Sequence, residues 1–120
     1  MPNMTAADLD AILNLAGQVS DTNLEKIIDL AVDCLNLYGN IDLSNMSGTA
    51  GAKTVSLESR EKGAVFIVAR AIYYSFYKGV ESSTVGGLAV STPDLMSNQT
   101  VLAAVKEAAR LLSEIDVGYG

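Results

Sequence analysis

The chain has 120 residues, of which 49% are hydrophobic and only 18% charged, with no histidine, one cysteine and a formal net charge of −6. A chain of this length holds one core and no second one, and a lone cysteine excludes an intrachain disulfide. The absence of histidine removes the commonest general base and metal ligand, and the acidic balance repels phosphate backbones, which disfavours direct nucleic-acid binding.

The first helix is predicted from a Thr5-Ala6-Ala7-Asp8 capping box to about Gln18, with Leu9, Ile12, Leu13 and Ala16 on one face. Thr22-Asn23-Leu24-Glu25 reads as a second capping box. It opens a helix that ends at Gly39 as a left-handed terminal residue. Leu24, Ile27, Ile28, Ala31, Leu35 and Tyr38 form its buried stripe, while Glu25, Asp29 and Asp33 descend the opposite face at four-residue steps as a solvated acidic surface. Residues 40–53 read as a loop whose length suggests a role in contact or assembly, and residues 54–57 as a short extended piece.

A third helix is expected from Glu58 or Ser59 to Lys78, stopped by Gly79. Val65, Val68, Ala69, Ile72 and Phe76 make one face; Ile67, Arg70, Tyr74 and Tyr77 make another. A helix apolar on more than one side is central to the core or lies between core and partner. Residues 80–92 then read as a β-hairpin turning at Gly86-Gly87 and closed by Pro93. Ser97 or Asn98 caps a last helix to about Ile115, with Val101, Leu102, Val105, Ala108, Ala109, Leu112 and Ile115 in its stripe. The expected fold is mainly α: a single-domain bundle of four helices over residues 1–120, with a hairpin between the third and fourth.

Charge is unevenly placed along this order. Residues 1–50 carry seven acids against Lys26 alone, and residues 51–120 carry seven acids against seven bases. The mean hydropathy of +0.27 leaves apolar surface to be covered. A membrane does not cover it, because the longest apolar stretch, residues 64–77, holds Arg70 in its middle and a span needs about 20 residues with few charges. Met1-Pro2-Asn3-Met4 has no basic residue before an apolar run, so no signal peptide is expected. Protein partners remain.

No constellation in the chain argues for chemistry. Asp8 and Asp10 sit where the helix dipole favours acids, and no Asp-x-Asp-x-Asp-Gly loop accompanies them for a metal. Gly86-Gly87 lacks the residues of a phosphate-binding loop. Arg70 snorkels or pairs with an acid, and Cys34 is a buried structural thiol. No catalytic, cofactor-binding or metal-binding residue is assigned, and the chain reads as a non-enzyme without cofactor. Tyrosines suit the edge of a protein contact, being apolar bodies with polar tips. The candidate contact residues are Tyr73, Tyr74 and Tyr77, Met46 in the loop, Val80, Val85, Gly86, Gly87, Leu88 and Val90 in the hairpin, and Tyr119 in the tail. Glu25, Asp29 and Asp33 are the candidate acidic surface.

The stretch Glu81-Ser82-Ser83-Thr84-Val85-Gly86-Gly87-Leu88-Ala89-Val90-Ser91, following a long central helix, resembles the head–tail connector (adaptor) family of tailed phages and tailed archaeal viruses, as does the order of the elements. The resemblance implies a structural virion protein of the head–tail neck, made in the host cytoplasm. Its copies would form a homo-oligomeric, dodecameric ring between the portal protein and the next neck or tail protein. Hairpin and terminal segments would reach those neighbours, and genomic DNA would pass without specific binding, along an acidic surface. The competing reading is a small helical homodimeric interaction or regulatory module. A ring subunit needs edges that fit one another, which a low-charge chain with Gly-rich segments allows, as does a dimer.

Overall fold

Four helices and one two-stranded β pairing make up the described part of the chain, which covers residues 3–39, 41–77 and 95–117 of a computed structural model. In chain order they are β1 (Asn3–Met4), α1 (Ala6–Leu13), α2 (Asp21–Gly39), β2 (Val55–Ser56), α3 (Ser59–Ile72), continued by a π-helical turn (Tyr73–Tyr77), and α4 (Gln99–Val117). The molecule is mainly helical, as expected. The hairpin expected at residues 80–92, with Val80, Val85, Gly86, Gly87, Leu88 and Val90, and the tail residue Tyr119 lie outside the described residues.

Local chemistry sets each boundary. The Thr5 backbone N–H donates to Asp8 Oδ2 at 2.9 Å, which closes the start of α1 as a capping interaction. The helix ends at Leu13 rather than near Gln18. Asn14 takes the left-handed conformation, φ 56°, the Leu15 N–H returns to the Asp10 carbonyl, and the Asp10 carboxylate accepts the Gly17 N–H. With only eight residues, α1 buries Ala6, Leu9 and Leu13. Ile12 projects about a quarter turn away and is exposed, as is Ala16 beyond the helix.

The expected capping box at Thr22 is not the start of α2. Ser20 Oγ accepts the Asn23 N–H and the Ser20 carbonyl accepts the Leu24 N–H, so the helix begins at Asp21 and Glu25 is released from any capping duty. Gly39 keeps helical backbone instead of turning left-handed. Its missing side chain matters for space: a Cβ there would stand 2.7 Å from Ile41 Cδ1 and 3.4 Å from Ala109 Cβ. Tyr38, expected in the buried stripe, is exposed with its neighbour Leu37 where α2 emerges from the core.

Glu58 precedes α3, its N–H bonded to Glu61 Oε1. Regular α geometry then stops at Ile72, and the π turn inserts one residue's worth of rotation. At α4 the Asn98 side chain accepts the Val101 N–H at 3.0 Å, which identifies Asn98 as the cap.

Helices α2 and α3 form the centre, each packing against the other three. Leu24, Ile27, Ile28, Val32 and Leu35 of α2 and Val65, Val68 and Ile72 of α3 are fully buried between Leu9 of α1 and Val101 and Val105 of α4. Each such side chain contributes about 1.5–3 kcal/mol by leaving water. The antiparallel pairing of β1 with β2 matches Met4 to Val55 and buries both, and so fastens the N-terminal segment over the bundle. No helix among the described residues is long and apolar enough to cross a membrane.

Candidate interaction surface

The acidic stripe of α2 faces protein, not solvent. Glu25 is 3% exposed, and its two carboxylate oxygens accept the Gly51 and Lys53 backbone N–H groups, each at 2.9 Å. One turn on, Asp29 Oδ1 accepts the Met46 N–H at 2.9 Å and the Asn45 side-chain amide at 3.4 Å. The same amide donates to Asp33 Oδ1 at 3.1 Å. Three acids at four-residue spacing therefore hold one segment, residues 45–53, along about two turns of the helix. This corrects the solvated-surface reading: Glu25 is buried, and Asp29 and Asp33 are half-buried. The physical reason is that the Met46, Gly51 and Lys53 N–H groups point to the helix and away from any backbone acceptor, and a carboxylate is the strongest available one.

The segment is itself ordered. Asn36 clasps Leu43 in both directions, its amide donating to the Leu43 carbonyl and its oxygen accepting the Leu43 N–H. Ser47 and Thr54 exchange two backbone hydrogen bonds across a turn. Gly48 (φ 116°) and Gly51 (φ 90°) supply the backbone angles that other residues rarely adopt. Leu43 and Met46 are buried in the core beneath. Met46 is thus a core residue and not an exposed contact, because the bond from its N–H to Asp29 turns its side chain inward.

A hollow of about 350 Å³ opens beside the segment, lined by Thr22, Lys26, Asp29, Leu30, Asp33 and Lys53 among others. Its acids are committed to the hydrogen bonds above, and no group of His, Cys, Asp and Glu suited to a metal ion occurs among the described residues. Cys34, on the same helix, is fully buried. Burial, reinforced by the neighbouring Asp33 carboxylate, pushes its thiol up to about 11. A thiol held neutral is a poor nucleophile and metal ligand.

The tyrosines divide. Tyr73 is buried at the core edge, which corrects its place among the contact residues, whereas Tyr74 is 44% exposed. Tyr77 closes the π turn. The two rings Tyr73 and Tyr74 meet edge to face, centroids 5.2 Å apart at 79°, and the Arg70 guanidinium lies 5.8 Å from the Tyr74 ring centroid. Among the described residues, Arg70 therefore lies over an aromatic face and pairs with no acid. Tyr74 stands on one wall of a second groove of about 350 Å³, formed by Ile67, Arg70 and Ala71 of α3, Tyr74 of the π turn, and Thr100, Ala103, Ala104 and Glu107 of α4. Leu111, one turn beyond Glu107, is also exposed and continues the α4 wall.

Sequence reasoning found Tyr74 but missed its companions on α4. The signal was present as Thr100, Ala104, Glu107 and Leu111 at helical spacing, about 100° around the helix from the Val101, Val105, Ala108 and Leu112 stripe. The roles of Asn36, on α2, and of Asn45, in the loop, were not signalled, since an asparagine has many possible partners. Compared with known proteins, the chain matches no family model, and no curated protein or solved structure matches it.

Proposed function

We propose that this chain acts by association rather than by chemistry, as a structural subunit of an assembly containing several copies. The form of assembly proposed is the head–tail adaptor of a tailed virus, a homo-oligomeric ring between the portal and the next neck or tail protein. The order of helices and the stretch Glu81–Ser91 support this form by resemblance. The observation that carries the association reading is the α3–α4 groove, a mainly apolar channel lined by Ala71, Ala103 and Ala104 together with Tyr74 and Arg70. Such a face is the kind that partners cover. The ordered segment 45–53 supports the same reading, because a loop fixed before assembly meets a neighbour at little entropic cost.

A homodimeric interaction module is the second reading. It is favoured by one observation: the groove carries a positive wall, Arg70, and a negative wall, Glu107, and so matches a copy of itself. The mass of the full chain in solution over a concentration series, at moderate salt, separates the two. A closed oligomer larger than a dimer supports the adaptor. A dimer that does not grow overturns the simple ring in favour of the module. A monomer at every concentration overturns self-association of the free chain.

A further inference from the structure

The α3–α4 groove has a polarity that constrains what can fill it. Ala71, Ala103 and Ala104 line it, and their small side chains leave it open between the two helices. On the α3 wall stand Arg70 and Tyr74, and on the α4 wall stands Glu107. Among the described residues, Arg70 has no carboxylate partner, only the Tyr74 ring, and Glu107 has no cationic partner. A charge beside an apolar channel gains most from an opposite charge brought by whatever covers it.

We infer that the occupant is a second copy of this chain, docked groove to groove about a two-fold axis parallel to the groove. That rotation exchanges the walls, so the α3 wall of one copy meets the α4 wall of the other. Arg70 of each then faces Glu107 of its partner, and Tyr74 of each lies over the alanines Ala103 and Ala104 of its partner. A two-fold axis across the groove would instead set Arg70 against Arg70 and is disfavoured by charge. The interface is isologous, with every contact made twice. The inference rests on the homodimer reading of that association and specifies its contact residues; an isologous pair closes on itself, so it competes with the simple ring and does not depend on the viral resemblance.

The test is sedimentation of the full chain in five forms: the wild type, Arg70→Glu, Glu107→Arg, the double variant, and an equimolar mixture of the two single variants. Both side chains are exposed on helix surfaces, and circular dichroism melts check that each variant keeps the wild-type fold. Each single variant places like charges together twice, and is expected to raise the dimer Kd at least about tenfold. The double variant restores both pairs. The mixture is decisive. In it the acid introduced in one chain meets the base introduced in the other, while the unsubstituted Arg70 and Glu107 meet at the second contact. A heterodimer of near wild-type affinity is expected from two chains that do not self-associate. An internal Arg70–Glu107 pair gives no rescue on mixing, and that outcome overturns the proposal. A wild type that assembles and ignores both substitutions overturns the groove contact while leaving the association reading intact. A wild type that stays monomeric overturns both.

Discussion

Two faces of the molecule handle their polar groups in opposite ways. On α2, Glu25 and a thiol are buried and two further acids half-buried, and every side-chain hydrogen bond described for Glu25, Asp29 and Asp33 goes to residues 45–53 of the same chain. On the α3–α4 face, Arg70 and Glu107 carry charge to a groove that its alanines leave unfilled. The first face is finished within the chain and contributes stability; the second is left open, and it is there that contact is proposed. Charge alone does not tell them apart. What does is the presence of a nearby segment with unaccepted backbone N–H groups.

The sharpest way to break this comparison is Glu25→Ala. It leaves the Gly51 and Lys53 N–H groups without an acceptor and opens a space under the loop, at an expected cost of about 3 kcal/mol. The melting temperature should fall by roughly 10 °C, and amide hydrogen exchange should accelerate first at Gly51 and Lys53. An unchanged melt would mean that the enclosed face contributes no stability. Asp29→Ala removes one backbone and one side-chain bond from a half-buried site, and about 1–2 kcal/mol is expected, with exchange loosened at Met46.

The thiol gives a pH test of the same face. Cys34 is raised from 9.0 to about 11 in the folded chain. Between those values the unfolded chain releases the proton and the folded chain keeps it, so stability falls as pH rises from about 9 to about 11. Cys34→Ala should flatten that segment of the stability–pH curve, and a curve of unchanged slope would show the thiol to be less enclosed than described. The smallest effect on stability is expected at the open face. Tyr74→Ala should move unfolding free energy by only about 0.5 kcal/mol, as exposed substitutions do, while weakening self-association several-fold in sedimentation. Loss of the fold instead would assign Tyr74 to the core.

Much of this architecture was legible in the residues. The 3.6-residue spacing of Leu24, Ile27, Ile28, Ala31 and Leu35 and of Val101, Val105, Ala108 and Leu112 located α2 and α4 and their buried sides, because burial dominates the energetics of both. The β1 strand was not legible: two residues pairing across the chain leave no periodic trace. Glu25, Asp29 and Asp33 were misjudged as solvated because their spacing on one helix describes only that helix. Their partners come from a loop some twenty residues later, whose path no local pattern fixes. Tyr73 and Tyr74 were not separable by sequence, since a π turn changes which neighbour points inward.

The pairing of Asn3 with Ser56 and of Met4 with Val55 also bears on when the fold can close. On a ribosome, α1 and α2 can form as soon as they emerge, but β1 has nothing to pair with until β2 has been made. The bonds from Glu25 to Gly51 and Lys53 wait for nearly the same moment. Closure of these distant contacts follows the local helices and carries the entropy of a large loop. Substitutions at Glu25 or Met4 should therefore speed unfolding more than they slow folding, and a chain arrested before residue 56 should expose the apolar side of α2 to chaperones.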